Sequence, residues 1–169
     1  MGEIAYGDAM EAEQADFADF FRAEYQTLLR AMYLISGSRD EAEELAQGAF
    51  VKALERWDRV REMDNPAGYL YRTAVNTRRS VARRLRFAAQ RALSLRQPDV
   101  IAQSDDRDQI RRALATLPAS QREAIVLVGW LGLTDAEAGR VLGVSAGAVR
   151  VRISRAKASL RPLMERSPV

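Results

Sequence analysis

The sequence predicts an all-α protein made of two small helical domains joined by a flexible linker. Three observations indicate this fold class. Apolar residues recur at intervals of three and four along most of the chain, as they do on the buried face of amphipathic helices. A length of 169 residues suits two small domains. Between them, residues 94–107 include Pro98 and lack any sustained period, which is typical of a linker that orders on binding.

The first two helices are predicted from periodicity and from a capping motif. Apolar residues at helical spacing cover residues 15–35, and Gly37 then ends the helix. Residues 38–41 have the pattern of a capping box, which opens a second helix. Its apolar stripe ends at Trp57, and that position favours packing in the core. Gly48 inside this helix costs about 1 kcal/mol relative to alanine, so it either permits close packing or is tolerated.

A third helix follows a predicted polar connection at residues 59–64. Asn65-Pro66 starts this helix, because asparagine caps helices and proline fits the first helical position. The apolar pattern continues beyond Leu85. The side of the helix that we expect to be exposed carries six arginines, Arg72, Arg78, Arg79, Arg83, Arg84 and Arg86.

The C-terminal domain is predicted to contain four helices, at residues 107–116, 124–130, 138–142 and 146–164. Residues 120–123 and 134–137 have the pattern of capping boxes that open the second and third of these helices.

Charge is unevenly distributed along the chain. Residues 1–64 contain 15 acids and 7 bases, a net charge of −8, whereas residues 65–98 contain 8 arginines and no acid. Residues 99–137 have 7 acids and 4 bases, and residues 138–169 have 7 bases and 1 acid. Two separated basic blocks indicate two contacts with a polyanion, and the acidic segments suit a protein partner.

The composition disfavours catalysis and membrane insertion. The chain has no cysteine and no histidine, so it offers no disulfide, no thiolate metal site and no imidazole base. No nucleophile–base pair is visible. We therefore expect no enzyme activity, no catalytic residue, no metal, no cofactor and no small-molecule substrate. No apolar run approaches a membrane span, and residues 1–16 are acidic, unlike a targeting peptide. We expect a cytoplasmic protein that makes no membrane contact.

Residues 133–155 have the pattern of a helix-turn-helix. A short helix is followed by Gly143, which permits a left-handed turn, and by a second helix with Val149 and Ile153 on its inner side. Such a second helix lies in the DNA major groove, with some side chains on bases and others on phosphates. The alternative is a helical hairpin with a solvated basic face. The candidate DNA-binding residues are Ser145, Ala148, Arg150, Val151, Arg152, Ser154 and Arg155.

Several spaced segments resemble the extracytoplasmic-function (ECF) group of bacterial RNA polymerase sigma factors. Residues 113–123 read Ala-Leu-Ala-Thr-Leu-Pro-Ala-Ser-Gln-Arg-Glu, and together with 133–137 and 147–152 they resemble region 4 of these factors. Residues 42–50 resemble the part of region 2 that docks on polymerase. Tyr69-Leu70, followed by Asn76 and Arg83-Arg84, resembles the helix that engages the −10 element.

This resemblance implies a region 2 domain at residues 14–93, a linker at 94–107 and a region 4 domain at 108–166. Its partners would be core RNA polymerase and promoter DNA, and the resemblance also allows an anti-sigma factor as a partner. Region 4 would bind the −35 element through the helix-turn-helix. The implied −10 contacts are Asp64, Asn65, Asn76, Arg79, Arg83 and Arg84. The implied polymerase contacts are Asp40, Glu43, Glu44 and Gln47, for which a solvated helix face is the alternative.

The expected function is therefore to bring core polymerase to a promoter, recognise its −35 and −10 elements and promote melting. The alternative is a free-standing helix-turn-helix transcriptional regulator. A regulator of that kind binds duplex DNA by itself, whereas a sigma factor needs core polymerase for specific binding. Trp57 at the end of the second helix is conceivable as a wedge in DNA melting, but its apolar neighbours favour the core.

Overall fold

The computed structural model describes residues 3–89 and 105–164, with side chains over 12–85 and 109–163. Within these ranges the chain forms α-helices and no strand, which confirms the predicted all-α class. The helices are α1 (Glu3–Ser36), α2 (Arg39–Leu54), α3 (Trp57–Val60), α4 (Pro66–Ala89), α5 (Asp105–Ala115), α6 (Ala119–Gly129), α7 (Asp135–Leu142) and α8 (Ala146–Met164). No helix in the described part of the chain is both long and apolar enough to span a membrane.

The N-terminal half is a bundle in which α1 and α4 pack against α2. Its core includes Leu28, Met32 and Leu70, none of which exposes any surface. Trp57 is 4% exposed, with its ring centroid 5.1 Å from that of Phe17. The core position predicted for Trp57 is therefore confirmed, and the indole is not available as a melting wedge.

The helix boundaries of this half follow local chemistry. Gly37 adopts φ 78°, a conformation that glycine tolerates without strain, and ends α1 as predicted. The Asn65 side chain accepts a hydrogen bond of 2.7 Å from the Gly68 N–H and so caps α4. The predicted connection at residues 59–64 is partly wrong, because α3 continues to Val60. Val60 is fully buried, and its packing explains why the chain keeps a helical turn there.

The predicted linker lies mostly outside the described residues. Only its last residues, 105–107, are described, and they are already helical because α5 begins at Asp105. The sequence favours a helix start there, because negative charge in a first turn suits the positive end of the helix dipole.

The three predicted capping boxes have different outcomes. The box at Thr134 is complete: its hydroxyl accepts from the Glu137 N–H, and the Glu137 carboxylate accepts from the Thr134 N–H. At Ser38 the hydroxyl accepts from the Glu41 N–H, but the Glu41 carboxylate lies 3.2 Å from Arg78 Nε instead. The box predicted at 120–123 is wrong, because α6 begins at Ala119 with no side-chain cap.

The C-terminal half packs α6 and α7 against α8, and it also contacts the N-terminal half. α4 lies against α7, and α1 lies against α5 and α6. The buried residues of both halves form one continuous hydrophobic cluster. In this arrangement the basic helix α4 and the helix-turn-helix are neighbours.

Candidate nucleic-acid interface

The turn between α7 and α8 is set by two glycines. Gly143 adopts φ 67°, and the next residue, Val144, donates a backbone hydrogen bond of 2.9 Å to the Gly139 carbonyl. A Cβ on Gly139 would lie only 2.7 Å from the Val144 carbonyl oxygen. The close approach of the turn to α7 therefore requires glycine at position 139, a requirement that the sequence analysis missed.

One side of α8 is anchored in the core and the other is open. Val149 and Ala156 are fully buried, and Ile153 packs against the same cluster. Ser145 starts the helix, since its hydroxyl accepts a hydrogen bond of 3.2 Å from the Ala148 N–H. The exposed residues of the predicted recognition surface are Ser145, Arg150, Val151, Ser154 and Arg155.

The remaining predicted residues of this surface, Ala148 and Arg152, are half-buried. Arg150 makes a loose ion pair of 3.5 Å with Asp135 at the start of α7, and its side chain is 65% exposed. An exposed pair of this kind contributes little to stability, so the guanidinium can exchange it for a phosphate at low cost. Arg155, which has the reach for bidentate bonding to guanine, lies on the open side.

A second basic surface is a cleft of about 580 Å³ between α2 and α4. Two of the predicted −10 residues, Asn76 and Arg84, line this cleft. The cleft also holds residues that were not among the predicted −10 contacts, namely Lys52, Arg56, Tyr69, Arg72, Thr73, Thr77 and Ser80. Four of the lining side chains are cationic, and one, Glu55, is acidic.

The available sequence signal for the missed residues was the four-residue spacing between Lys52, near the end of α2, and Arg56, which follows this helix. Lys52 Nζ lies 3.2 Å from Thr77 Oγ1 of α4, so the ammonium group sits at the contact of the two helices. The cleft combines cations, hydroxyls, an amide and an aromatic ring, which are the groups that bind single-stranded nucleic acid.

Other predicted −10 residues point elsewhere. Arg79 lies outside the cleft, where its Nη2 is 2.7 Å from the Glu123 carboxylate of α6. Asn65 Nδ2 lies 3.3 Å from Glu137 Oε1 of α7. Asp64 and Arg83 are exposed. The expectation that Arg78 is exposed is wrong, because its side chain is 17% exposed between Glu41 and Glu123.

The residues predicted to contact polymerase lie along α2. Asp40, Glu44 and Gln47 are exposed, whereas Glu43 is half-buried and accepts a hydrogen bond of 2.9 Å from Arg39 Nε. The same side of α2 continues into Val51 and Leu54, which are 55% and 54% exposed. Ala53, the neighbour of Leu54, exposes no surface and takes the core position of this turn. Acidic and apolar residues thus form one exposed strip, as protein-binding surfaces often do.

Comparisons with known proteins match both halves of the chain. The family model for sigma-70 region 2 matches residues 20–88, and the model for sigma-70 region 4 matches residues 107–160. RNA polymerase sigma-E factor of Streptomyces avermitilis is 30% identical over 96% of this chain and 89% of its own length. The ECF RNA polymerase sigma factor SigM of Mycobacterium tuberculosis is 31% identical over 88% of this chain and 76% of its own.

A solved structure is similar over nearly the whole chain. The sigma factor RpoE in complex with the anti-sigma factor NepR, from Bartonella quintana, superposes with a TM-score of 0.80 at 26% identity. The match covers 90% of this chain and 99% of RpoE. Both family models occur in the expected order, and the relatives match across both of them. The chain therefore belongs to the sigma-70 family of RNA polymerase sigma factors, in the extracytoplasmic-function group, and is a promoter-specific transcription initiation factor.

Proposed function

We propose that this sigma factor holds a promoter at two points, with α8 on the −35 element and α4 with the preceding connection on the −10 element. The observation that carries the proposal is the two-sided character of α8. Val149 and Ala156 anchor one side with no exposed surface, which leaves Arg150, Val151 and Arg155 open on the other. A helix held in this way presents a rigid set of side chains to a major groove.

At the −35 element the side chains have separate roles. Arg155 reads a base edge, because it lies on the open side and can donate two hydrogen bonds to guanine. Arg150, next to Asp135 at the edge of the surface, holds a phosphate. Arg155→Ala then costs about 1–3 kcal/mol of binding free energy for DNA that carries the base it reads. Arg150→Ala instead weakens binding to every DNA sequence about equally. Arg161→Ala, an exposed change beyond the recognition surface, is the control.

At the −10 element the unpaired strand follows the cleft between α2 and α4. Asn76 contacts a base, while Lys52, Arg72 and Arg84 contact phosphates, since they surround it in the same cleft. Arg79, which lies outside the cleft on the same helix, contacts a base as well. Asp64 and Asn65 lie before α4 and hold a base turned out of the duplex. Flipping a base costs a few kcal/mol, which contacts with polymerase and strand offset without ATP.

The acidic and apolar strip of α2 docks on core polymerase through Asp40, Glu43, Glu44 and Gln47, together with Val51 and Leu54. The sigma factor itself performs no chemistry in this proposal, because polymerase supplies the catalytic centre. It acts in the cytoplasm, where polymerase and chromosome meet. An anti-sigma factor is a further proposed partner, by analogy with the RpoE complex.

The experiment is run-off transcription with purified core polymerase and a library of promoters. We expect the full chain to co-purify with core and to direct initiation at a subset of sequences that share −35 and −10 elements. Glu44→Gln together with Val51→Ser should weaken binding to core, whereas Asp16→Asn on the distant part of α1 should not. Failure to bind core, combined with specific binding of duplex DNA by the free protein, would mean a free-standing regulator instead.

A further inference from the structure

Glu123 of α6 is the one charged residue that is buried among the residues whose side chains the structure describes, with 4% of its surface exposed. Its partners come from the other half of the molecule. Arg79 of α4 approaches the carboxylate twice, at 3.1 Å through Nε and at 2.7 Å through Nη2. Arg78 Nη1 lies 3.6 Å from the second oxygen. A buried carboxylate of region 4 is therefore neutralised by two arginines of region 2.

The Arg79 guanidinium is also bound at a third site. Its Nη1 donates a hydrogen bond of 2.7 Å to the Leu142 carbonyl, the last residue of α7. The final carbonyls of a helix lack partners within the helix and favour a cation. One side chain of α4 thus joins α6 and the first helix of the helix-turn-helix.

Two further contacts lie along the same boundary. Arg122 Nη1 donates a hydrogen bond of 3.1 Å to the Ile35 carbonyl near the end of α1. Asn65 Nδ2 donates one of 3.3 Å to Glu137, the residue that completes the cap of α7. The contact between the halves is thus made of specific polar pairs as well as apolar packing.

The proposed function assigns Arg79 and Asn65 to the −10 element, yet both are engaged by the C-terminal half. The −35 surface is open in the same structure, since Arg150 and Arg155 are exposed. Closure of the halves and binding of −10 DNA therefore compete for the same groups. For a ligand that binds only the open state, the apparent affinity equals the intrinsic affinity multiplied by the fraction of molecules that are open.

We propose that the contact of Glu123 with Arg79 is an autoinhibitory latch of the polymerase-free protein. This pair is one of the contacts that hold region 4 on region 2, and the guanidinium of Arg79 becomes available to DNA when the halves separate. This inference rests on the proposed function, because it assumes that Arg79 serves the −10 element. It adds that the free sigma factor restrains its own DNA binding through a named pair of side chains.

The test measures the distance between the halves in the full chain. Because the chain has no cysteine, spin labels can be attached at Gln26→Cys and Ala158→Cys, two exposed positions in different halves. We expect one short distance for the native pair and a longer, broader distribution for Glu123→Gln, which keeps the shape and removes the charge. Asp16→Asn is the matched control, since it removes one exposed negative charge from α1.

A charge swap keeps the test decisive if one variant folds poorly. Arg79→Glu alone should open the molecule through repulsion with Glu123. Adding Glu123→Arg should shorten the distance again in part, because the pair is re-formed with its signs exchanged while Arg78 then faces a like charge. Circular dichroism checks that helix content is retained in each variant. Short distances in both Glu123→Gln and Arg79→Glu, with native helix content, would overturn the latch.

The second readout is binding of the free protein to a fluorescent, mixed-sequence single-stranded DNA. If about a tenth of the molecules are open, Glu123→Gln should raise affinity up to about tenfold, and Asp16→Asn should not. The gain should vanish when Arg79→Ala is added. Run-off transcription separates the two ideas. If Glu123→Gln initiates normally but binds single-stranded DNA no better than the native protein, the latch alone is refuted. If the native protein does not bind core polymerase, the proposed function is refuted.

Discussion

The same substitution, glycine to alanine, is expected to have opposite effects at two helical positions. In α2, a Cβ on Gly48 would meet no neighbouring element within 4 Å among the described residues. Gly48→Ala should therefore gain the full difference in helix propensity, about 1 kcal/mol. This also decides between the two interpretations of Gly48, since the space around it shows that the glycine is tolerated and not required.

Replacing Gly139 in α7 by alanine would bring the same gain in helix propensity, but there is no space for the added Cβ. A Cβ there would lie 2.7 Å from the Val144 carbonyl oxygen, about 0.7 Å short of an ordinary contact at 3.4 Å. The obstacle is backbone of the turn itself, so it cannot rotate away as a side chain would. Overpacking of this kind costs about 1–3 kcal/mol. After the propensity gain is subtracted, Gly139→Ala should be neutral to about 2 kcal/mol destabilising.

Hydrogen exchange read helix by helix measures both effects in the full chain, because it reports the local opening free energy of α2 and α7 separately. We expect more protection in α2 for Gly48→Ala and less in α7 for Gly139→Ala, so that the two changes differ by about 1–3 kcal/mol. Gly139→Ala should also reduce binding to −35 DNA, since the turn orients α8. Equal gains in protection at both sites would refute the steric argument.

Three other predictions concern the core and two titrating groups. Leu127 exposes no surface, so Leu127→Ala should lower the free energy of unfolding by about 2–5 kcal/mol, as measured by urea unfolding. Hydrogen bonds from Thr134 lower the pKa of Glu137, so this carboxylate stabilises the fold above its usual pKa of 4.5 and loses that contribution as pH falls further. Thermal unfolding of Glu137→Gln should therefore depend less on acid pH than that of the native protein. Burial, and then the hydrogen bond to Glu24, raise the pKa of Tyr71, so its contribution is complete below pH 10 and falls as the pH rises further. In a tyrosinate absorbance titration the step removed by Tyr71→Phe should be the last one, and its absence from the end of the curve would contradict this assignment.

Much of the local structure could be predicted from the sequence, because its causes lie within a few residues. The end of α1 at Gly37, the cap of α4 by Asn65 and the capping box at Thr134 each depend on neighbours within about one helical turn. The helix-turn-helix was predictable for the same reason, since Gly143 and the spacing of Val149 and Ile153 specify both the turn and the buried side.

The wrong capping box arose where distant residues competed for a side chain. The box predicted at residues 120–123 has the same pattern as the one at Thr134. Its glutamate, Glu123, binds arginines of α4 instead of its own backbone, and α6 starts without a side-chain cap. The Glu123 carboxylate gains two guanidinium partners there, and charge-assisted bonds of this kind are among the strong hydrogen bonds of proteins.

Residue types at short, fixed spacing were enough to predict a helical chain, a helix-turn-helix at residues 133–155 and the resemblance to a sigma factor. Which basic residues share a cleft and which face region 4 depends on how the helices pack. Asn76 and Arg79 are three residues apart on α4, yet one lines the cleft with α2 and the other bonds to Glu123 and Leu142. Periodicity identifies the faces of a helix, but the element that packs against each face is set by contacts between residues 44 and 63 positions apart.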